Sequence, residues 1–381
     1  MKKIAVVTAT RAEYGILKPL ILKLLKEPEF QMDLLVTGTH LSEEYGNTQS
    51  EIIKDNIPIA ENIPILREGN TPYDISMTMA NAIKGFGDYF RRKKPDLLMV
   101  LGDRTEILGI CCGAMNENIP IAHLHGGELT EGAVDDCVRH AITKMSYYHF
   151  PASEVYRKRI IQMGEAPERV FNVGALGVEN IKHTKLLSRE EIRQILGIPV
   201  GREYVVVTFH PATLEPGEEI RQTEELIQAI KQHSHYWYVI TKSNADAGGR
   251  SVNDMLENLA QECDNIFLTA SLGMLRYLSA VKYCSFVLGN SSSGIIEAPA
   301  LGTPTVNIGD RQKGRLMADT VINCEADRES IAKAMEDAGK AKHHVSDLYG
   351  TGDTSEQMVK ILKEQLEIHR GSVKKQFYDL P

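Results

Sequence analysis

Short apolar runs bounded by turn residues recur along this chain at 4–8, 33–37, 96–101, 119–124 and 170–173. Their brevity and near-continuous hydrophobicity suit strands buried on both faces of a parallel sheet. Longer stretches lie between them, at 15–26, 74–94, 104–117 and 135–146, with apolar residues at helical spacing. Such alternation reads as a doubly wound α/β sheet. A second series of runs, at 204–208, 236–241, 265–268, 285–288 and 305–308, repeats the pattern.

A chain of 381 residues exceeds what one hydrophobic core usually organises. Two Rossmann-like domains facing a cleft are therefore expected, over 1–180 and 181–352. Ser188-Arg189-Glu190-Glu191 is a capping-box pattern that opens a short helix beside that division. The stretch 353–381 adds a last helix that could cross back onto the first domain. Hydrophobic residues at 43% and charged residues at 25% speak against disorder.

A formal net charge of -8 offers no broad basic face to nucleic acid or to a membrane surface. An anionic ligand must be met by a few placed arginines, so the expected partner is a small molecule. Cys111, Cys112, Cys137, Cys263, Cys284 and Cys324 form neither a CxxC pair nor a zinc-like group with histidine. They read as reduced, buried thiols, and no metal is expected. The sequence contains no apolar segment long enough to span a bilayer, so a cytoplasmic protein is expected.

Ligands of open α/β sheets bind beyond the carboxyl ends of the strands, which singles out the residues just after each apolar run. After the first comes Thr8-Ala9-Thr10-Arg11-Ala12-Glu13-Tyr14-Gly15, where backbone amides and Arg11 can face an anion. An ordinary capped turn is the alternative. Leu101-Gly102-Asp103-Arg104-Thr105-Glu106 sets an acid and a base at a helix start, where Asp103 could be merely an N-cap. His123-Leu124-His125-Gly126-Gly127-Glu128 packs three titratable groups around two glycines. Asp135-Asp136-Cys137-Val138-Arg139-His140 opens a helix with two carboxylates; Asp135 and Arg139, four apart, could pair on its surface.

In the second half, Thr208-Phe209-His210-Pro211 ends a strand with a histidine restricted by the proline after it. Gly289-Asn290-Ser291-Ser292-Ser293-Gly294 then begins a helix whose first amides are expected to be free for phosphate. Glu297 lies one turn on, suited to ribose hydroxyls. Gly309-Asp310-Arg311-Gln312 brings another arginine to the same edge. The serines lack the G-x-S-x-G elbow of a catalytic nucleophile.

Taken in order with Arg139-His140-Ala141-Ile142-Thr143-Lys144, these motifs resemble those of the hydrolysing UDP-N-acetylglucosamine 2-epimerases of sialic-acid and legionaminic-acid routes. The resemblance runs from the first strand to about Arg315. It implies a glycosyltransferase-B type fold, homodimers or homotetramers, and neither metal nor nicotinamide cofactor. It implies that UDP is held by His210, Asn244, the turn at Leu272, Ser291, Ser292, Glu297 and Arg311. Arg11 and Arg104 approach from the first domain, with Glu13 and Arg139 as further substrate-binding candidates.

The acid and base candidates fall on Asp103, His125, Glu128, Asp135 and Asp136, with His210 near the phosphates. Relatives with a His-x-Glu pattern carry glutamate at the position of His125, so that role passes to His125 or to Glu128. The implied reaction converts UDP-N-acetylglucosamine and water to N-acetylmannosamine and UDP through 2-acetamidoglucal. The same chemistry on a UDP- or GDP-linked 2,4-diacetamido-trideoxyhexose, or on GDP-N-acetylglucosamine, is the alternative. A glycosyltransferase of this fold and a non-catalytic nucleotide-sugar binder are the readings from other classes.

Overall fold

The computed structural model of the chain describes residues 1–69, 71–130, 134–211, 217–243, 248–369 and 373–380. The chain forms two compact units. The first comprises Met1–Glu128, Asp135–Lys182 and Tyr349–Pro381, and the second Leu129–Val134 and His183–Leu348.

The first unit holds β1 (Lys2–Thr8), β2 (Phe30–Thr37), β3 (Ile59–Ile63), β4 (Leu97–Leu101), β5 (Ile121–Leu124) and β6 (Tyr148–Phe150). Their spatial order is β3-β2-β1-β4-β5-β6. Every pairing is parallel. In β1 the side chains alternate between two buried layers, as a strand covered on both faces must. Ile4 and Val6 join one cluster with Leu17, Leu20 and Leu24 of the helix Arg11–Lys26. Ala5 and Val7 join the other, with Phe86 and Phe90 of the helix Pro72–Lys93. Each such leucine or phenylalanine contributes roughly 1.5 to 3 kcal/mol when fully buried. Met358, Leu362 and Leu366, four apart on the helix Thr354–His369, complete the first layer.

The second unit holds β7 (Tyr204–Thr208), β8 (Trp237–Thr241), β9 (Ile266–Thr269), β10 (Phe286–Gly289), β11 (Thr305–Ile308) and β12 (Val321–Cys324). Their order, β12-β11-β10-β7-β8-β9, is the first sheet's order over again. Chain order therefore reverses between β1 and β4, and again between β7 and β10. At such a switch point the connections leave to opposite sides and open a crevice at the strand ends.

The doubly wound reading holds for both sheets, with local corrections. The run 170–173 is not a strand; it touches β6 through an isolated bridge of Val170 to His149 and a hydrogen bond from Phe171 N to His149 O (2.9 Å). Val170 N is taken by the 3-10 turn Pro167–Arg169 just before it, donating to Pro167 O (3.2 Å). Strands β3 and β12 lie at sheet edges and are only partly buried, so they lack the continuous apolar run that marks an inner strand. Ser188 caps Arg189–Ile195 as its sequence requires, its hydroxyl accepting from Glu191 N (3.2 Å) while Glu191 accepts from Ser188 N (2.7 Å). The cysteines are all free, but only Cys111 and Cys284 are buried and Cys137 is exposed. No helix among the described residues is long and apolar enough to cross a membrane.

Candidate functional site

In the first unit the edges of β1, β4 and β5 adjoin, since Val6 registers with Met99 and Leu101 with Leu124. The turn after β1 is organised by Thr10, whose hydroxyl accepts from Glu13 N (3.3 Å). Glu13 Oε2 accepts from Ala9 N (2.7 Å) and Thr10 N (3.3 Å) in return. This capping box satisfies donors at the helix start, yet Glu13 Oε1 is buried with no hydrogen-bond partner. Burial pushes the Glu13 carboxyl up to about 7, against the pull of the Arg104 guanidinium and with the push of Glu106. Arg11 pairs with Glu51. His40, which the sequence reading passed over, is buried between Thr8 Oγ1 (2.9 Å) and Thr48 Oγ1 (2.8 Å). Burial lowers its pKa to about 4, so it braces the turn as a neutral ring.

After β4, Asp103 is not the N-cap; Arg104 occupies that position before the helix Thr105–Asn116 and makes no side-chain cap bond. The Asp103 carboxylate instead accepts from Arg139 Nη2, 36 residues on. Arg139 is almost wholly buried, so it does not stand on the helix surface. An arginine inside the fold needs a carboxylate beside it, because an unpaired buried charge is costly. Arg104 Nε donates to Glu106 Oε1 (2.6 Å).

His123 lies within β5 and spans Gly102 O (2.7 Å) and Thr143 Oγ1 (3.1 Å). Burial lowers its pKa to about 3, so it ties the β4 turn to the helix Asp135–Met145 as an uncharged strut. His125 follows at φ 62, a left-handed conformation rare outside glycine. Its Nδ1 is 2.8 Å from Glu128 Oε1, and its Nε2 is buried without a hydrogen-bond partner. A second histidine repeats the arrangement. His140 Nε2 lies 3.5 Å from Asp136, and His140 Nδ1 is likewise buried without one. Burial lowers the His140 pKa against the opposing pull of Asp136.

In the second unit His210 is fixed through its backbone as well as its ring. Its N–H donates to Asn290 Oδ1 (2.8 Å) and its carbonyl accepts from Asn290 Nδ2 (2.8 Å). His210 Nδ1 is 3.0 Å from Ser243 Oγ. Asn290 O accepts from Gln312 Nε2 (2.8 Å) and Arg311 Nη1 (3.2 Å), which ties the β10 and β11 turns together.

Ser292 is the N-cap of Ser293–Leu301, without a side-chain cap bond. Three amides of this turn are already engaged: Ser293 N with Ser291 Oγ (3.4 Å), Gly294 N with Ser291 O (3.1 Å) and Ile295 N with Ser292 O (3.0 Å). The expectation that all the first amides stand open is corrected accordingly. Leu272 is the buried N-cap of Gly273–Tyr283. Tyr277 on that helix went unremarked in the sequence. Burial pushes its phenol up to about 12 among Ser293, Glu297 and Thr208. Asn244 lies outside the described residues. No group of three or more metal-ligating side chains forms among the described residues.

Comparison with known proteins gives this geometry a context. The family model described as UDP-N-acetylglucosamine 2-epimerase matches residues 22–363. The GDP/UDP-N,N'-diacetylbacillosamine 2-epimerase (hydrolyzing) of Campylobacter jejuni is 38% identical, over 85% of this chain and 84% of the relative. Polysialic acid biosynthesis protein P7 of Escherichia coli is 38% identical over 100% of this chain and 98% of its own. A crystal structure of Methanocaldococcus jannaschii UDP-GlcNAc 2-epimerase in complex with UDP-GlcNAc and UDP shares the fold. Its TM-score is 0.81, with 20% identity over 95% of this chain and 99% of that one. The fold is thus of the glycosyltransferase-B type that the motifs implied, and the chain belongs to the UDP-N-acetylglucosamine 2-epimerase family.

Proposed function

We propose that the chain is a hydrolysing nucleotide-sugar 2-epimerase, converting UDP-N-acetylglucosamine and water to N-acetylmannosamine and UDP through 2-acetamidoglucal. The observation that carries this reading is the pair of carboxylate-backed histidines, His125 with Glu128 and His140 with Asp136. Each keeps one ring nitrogen buried and unengaged. Epimerisation at C2 removes a proton from one face and returns one to the other, which calls for two acid–base groups.

The C2 proton of the sugar is not α to a carbonyl, so its removal accompanies departure of UDP. In this reading Arg11, Arg311, His210 and the turn at Ser291 and Ser292 take up charge on the diphosphate as the C1–O bond breaks. Well-placed donors of this kind are worth roughly 3 to 4 kcal/mol each. One histidine takes the C2 proton, the C–H electrons form the C1–C2 double bond, and UDP leaves. Asp103, oriented by Arg139, then accepts a proton from water as its oxygen adds to C1. The other histidine delivers a proton to C2 on the opposite face. Arg104, Glu13 and Asp135 line the same strand ends, and Glu297, Leu272 and Asn244 serve the nucleoside. The reading carries with it an acid–base domain over 1–180, a UDP domain over 181–352, and a cytoplasmic homo-oligomer that needs no cofactor.

A second reading keeps the reaction and changes the sugar to a diacetamido-trideoxyhexose linked to UDP or GDP; the name of the Campylobacter relative favours it. One experiment addresses both: incubation with a panel of UDP- and GDP-sugars in deuterated water, followed by NMR. The expected product is a free manno sugar carrying deuterium at C2. Release without deuterium would sink the glucal route, and consumption only with an acceptor would make the chain a glycosyltransferase.

A further inference from the structure

The segment 373–380 forms no helix or strand, yet it is fastened to the first unit at several points. Lys375 Nζ donates to Lys144 O (2.6 Å), Ser146 O (2.8 Å) and Glu165 Oε1 (2.8 Å). Tyr378 N donates to Gly164 O (2.9 Å). The Phe377 ring lies 4.7 Å from the Lys144 ammonium. It packs so closely on Gly164 that a Cβ there would come within 2.3 Å of it.

The anchor beneath this segment is unusual in its charge. Glu165 is fully buried, and its Oε1 also accepts from Lys144 Nζ (2.7 Å). Its Oε2 faces His149 Nε2 at 3.2 Å and Arg169 Nη2 at 3.9 Å. Burial alone would raise this carboxyl, but the bonds from His149, Lys144 and Lys375 hold it down at about 2. It is therefore ionised at neutral pH, and a cation is required beside it.

Of the two carbonyls that Lys375 takes, Lys144 O belongs to the last turn of the helix Asp135–Met145 and Ser146 O follows directly after it. The last carbonyls of a helix lack intrahelical donors, and a cation placed there also opposes the helix dipole. The same helix carries Asp136 and His140, and its Arg139 holds Asp103. We infer that Lys375 is a positioning residue: seated on Glu165, it caps this helix and fixes where Asp136, Arg139 and His140 stand. The consequence for turnover rests on the reaction proposed above; the capping itself does not.

The test compares full-length Lys375→Met and Lys375→Arg with the parent, below their thermal midpoints. Hydrogen exchange is read at Tyr378 and along the helix, and kcat and UDP affinity are measured alongside. In Lys375→Met, exchange at both places rises roughly tenfold or more. The value of kcat falls roughly tenfold as the helix shifts, while the UDP Kd stays within about twofold because the UDP half is untouched. Lys375→Arg restores most of both. If Lys375→Met does not fold, Phe377→Ala loosens the same docking while keeping every side chain that bonds Glu165, and must give the same pattern.

A released Tyr378 amide with unchanged helix exchange and unchanged kcat would overturn the inference. So would a Tyr378 amide still protected in Lys375→Met. If the parent turns over no nucleotide sugar, the proposed reaction fails, and helix exchange still decides the role of Lys375.

Discussion

The two units use one strand order to build opposite kinds of edge. Along the first, half-buried groups meet buried ones: Asp103 with Arg139, Arg104 with Glu106, and His125 against Glu128. Along the second, His210, Asn290, Ser243 and Gln312 are joined by amide and hydroxyl hydrogen bonds. Desolvating charges costs several kcal/mol per ion, and mere stability is better served by apolar packing. A fold that keeps such groups at a switch point has titratable chemistry there as its most economical explanation. The second edge instead suits an anion, which Arg311 and the hydroxyl and amide donors around Asn290 can meet.

The largest effect that would sharpen this contrast is on turnover. Glu128→Gln removes the charge that backs His125, and kcat for the nucleotide sugar is expected to fall ~100- to 10,000-fold, measured by product NMR. Turnover within a few-fold of the parent would break the assignment of acid–base work to this edge.

Two glycines at matching places give the next test. Gly289 ends β10 at φ 137, and a Cβ there would lie 2.0 Å from Thr208 O. Gly102, after β4 in the first unit, has φ 78 and open space around it. Gly289→Ala is expected to cost about 3 kcal/mol or more in urea unfolding, since the clash is with backbone. Gly102→Ala meets only the left-handed backbone penalty of roughly 1 to 2 kcal/mol. Equal costs would mean that the second edge is not the more tightly built.

The third effect is a pH dependence confined to the charged edge. Glu13 stands near 7 in the fold against an ordinary 4.5, raised by burial and flanked by Arg104 and Glu106. The folded protein therefore keeps a proton that the unfolded chain gives up. The contribution to stability is complete below 4.5 and is lost as pH rises through 7. Glu13→Gln should flatten the urea stability over that window by on the order of 1 to 3 kcal/mol. An unchanged slope would remove Glu13 as its source. The smallest expected effect lies away from both edges: Ser188→Ala loses an N-cap worth about 1 kcal/mol, visible as a lower melting temperature without change in kcat or UDP affinity.

What could be read in advance follows from how local each feature is. The inner strands β1, β4, β7 and β10 announce themselves because burial on both faces leaves no polar interruption. Among the edge strands β9 is legible as the run 265–268, but β3 is not, as Ile59–Ile63 shows with its glutamate and asparagine. The capping box at Ser188 is written in four consecutive residues. Arg139 shows the opposite limit. Its spacing from Asp135 suggests a helix-surface pair, and only the packing of that helix beside the β4 turn reveals Asp103 as its partner. His140 and Asp136 stood in a recognised motif, but the buried, unengaged ring nitrogen is a tertiary fact. Lys375 carried no local signal, since Glu165 and the end of the helix meet it from 210 and 231 residues away.

Calorimetric titration of UDP into Glu128→Gln and Arg311→Ala, side by side with the parent, tests the division of labour most directly. The account predicts a Kd within about twofold of the parent for Glu128→Gln and roughly tenfold weaker or more for Arg311→Ala, whose charge-assisted bonds are worth about 1.5 to 3 kcal/mol. Tenfold weaker UDP binding in Glu128→Gln, or unchanged binding in Arg311→Ala, would contradict it.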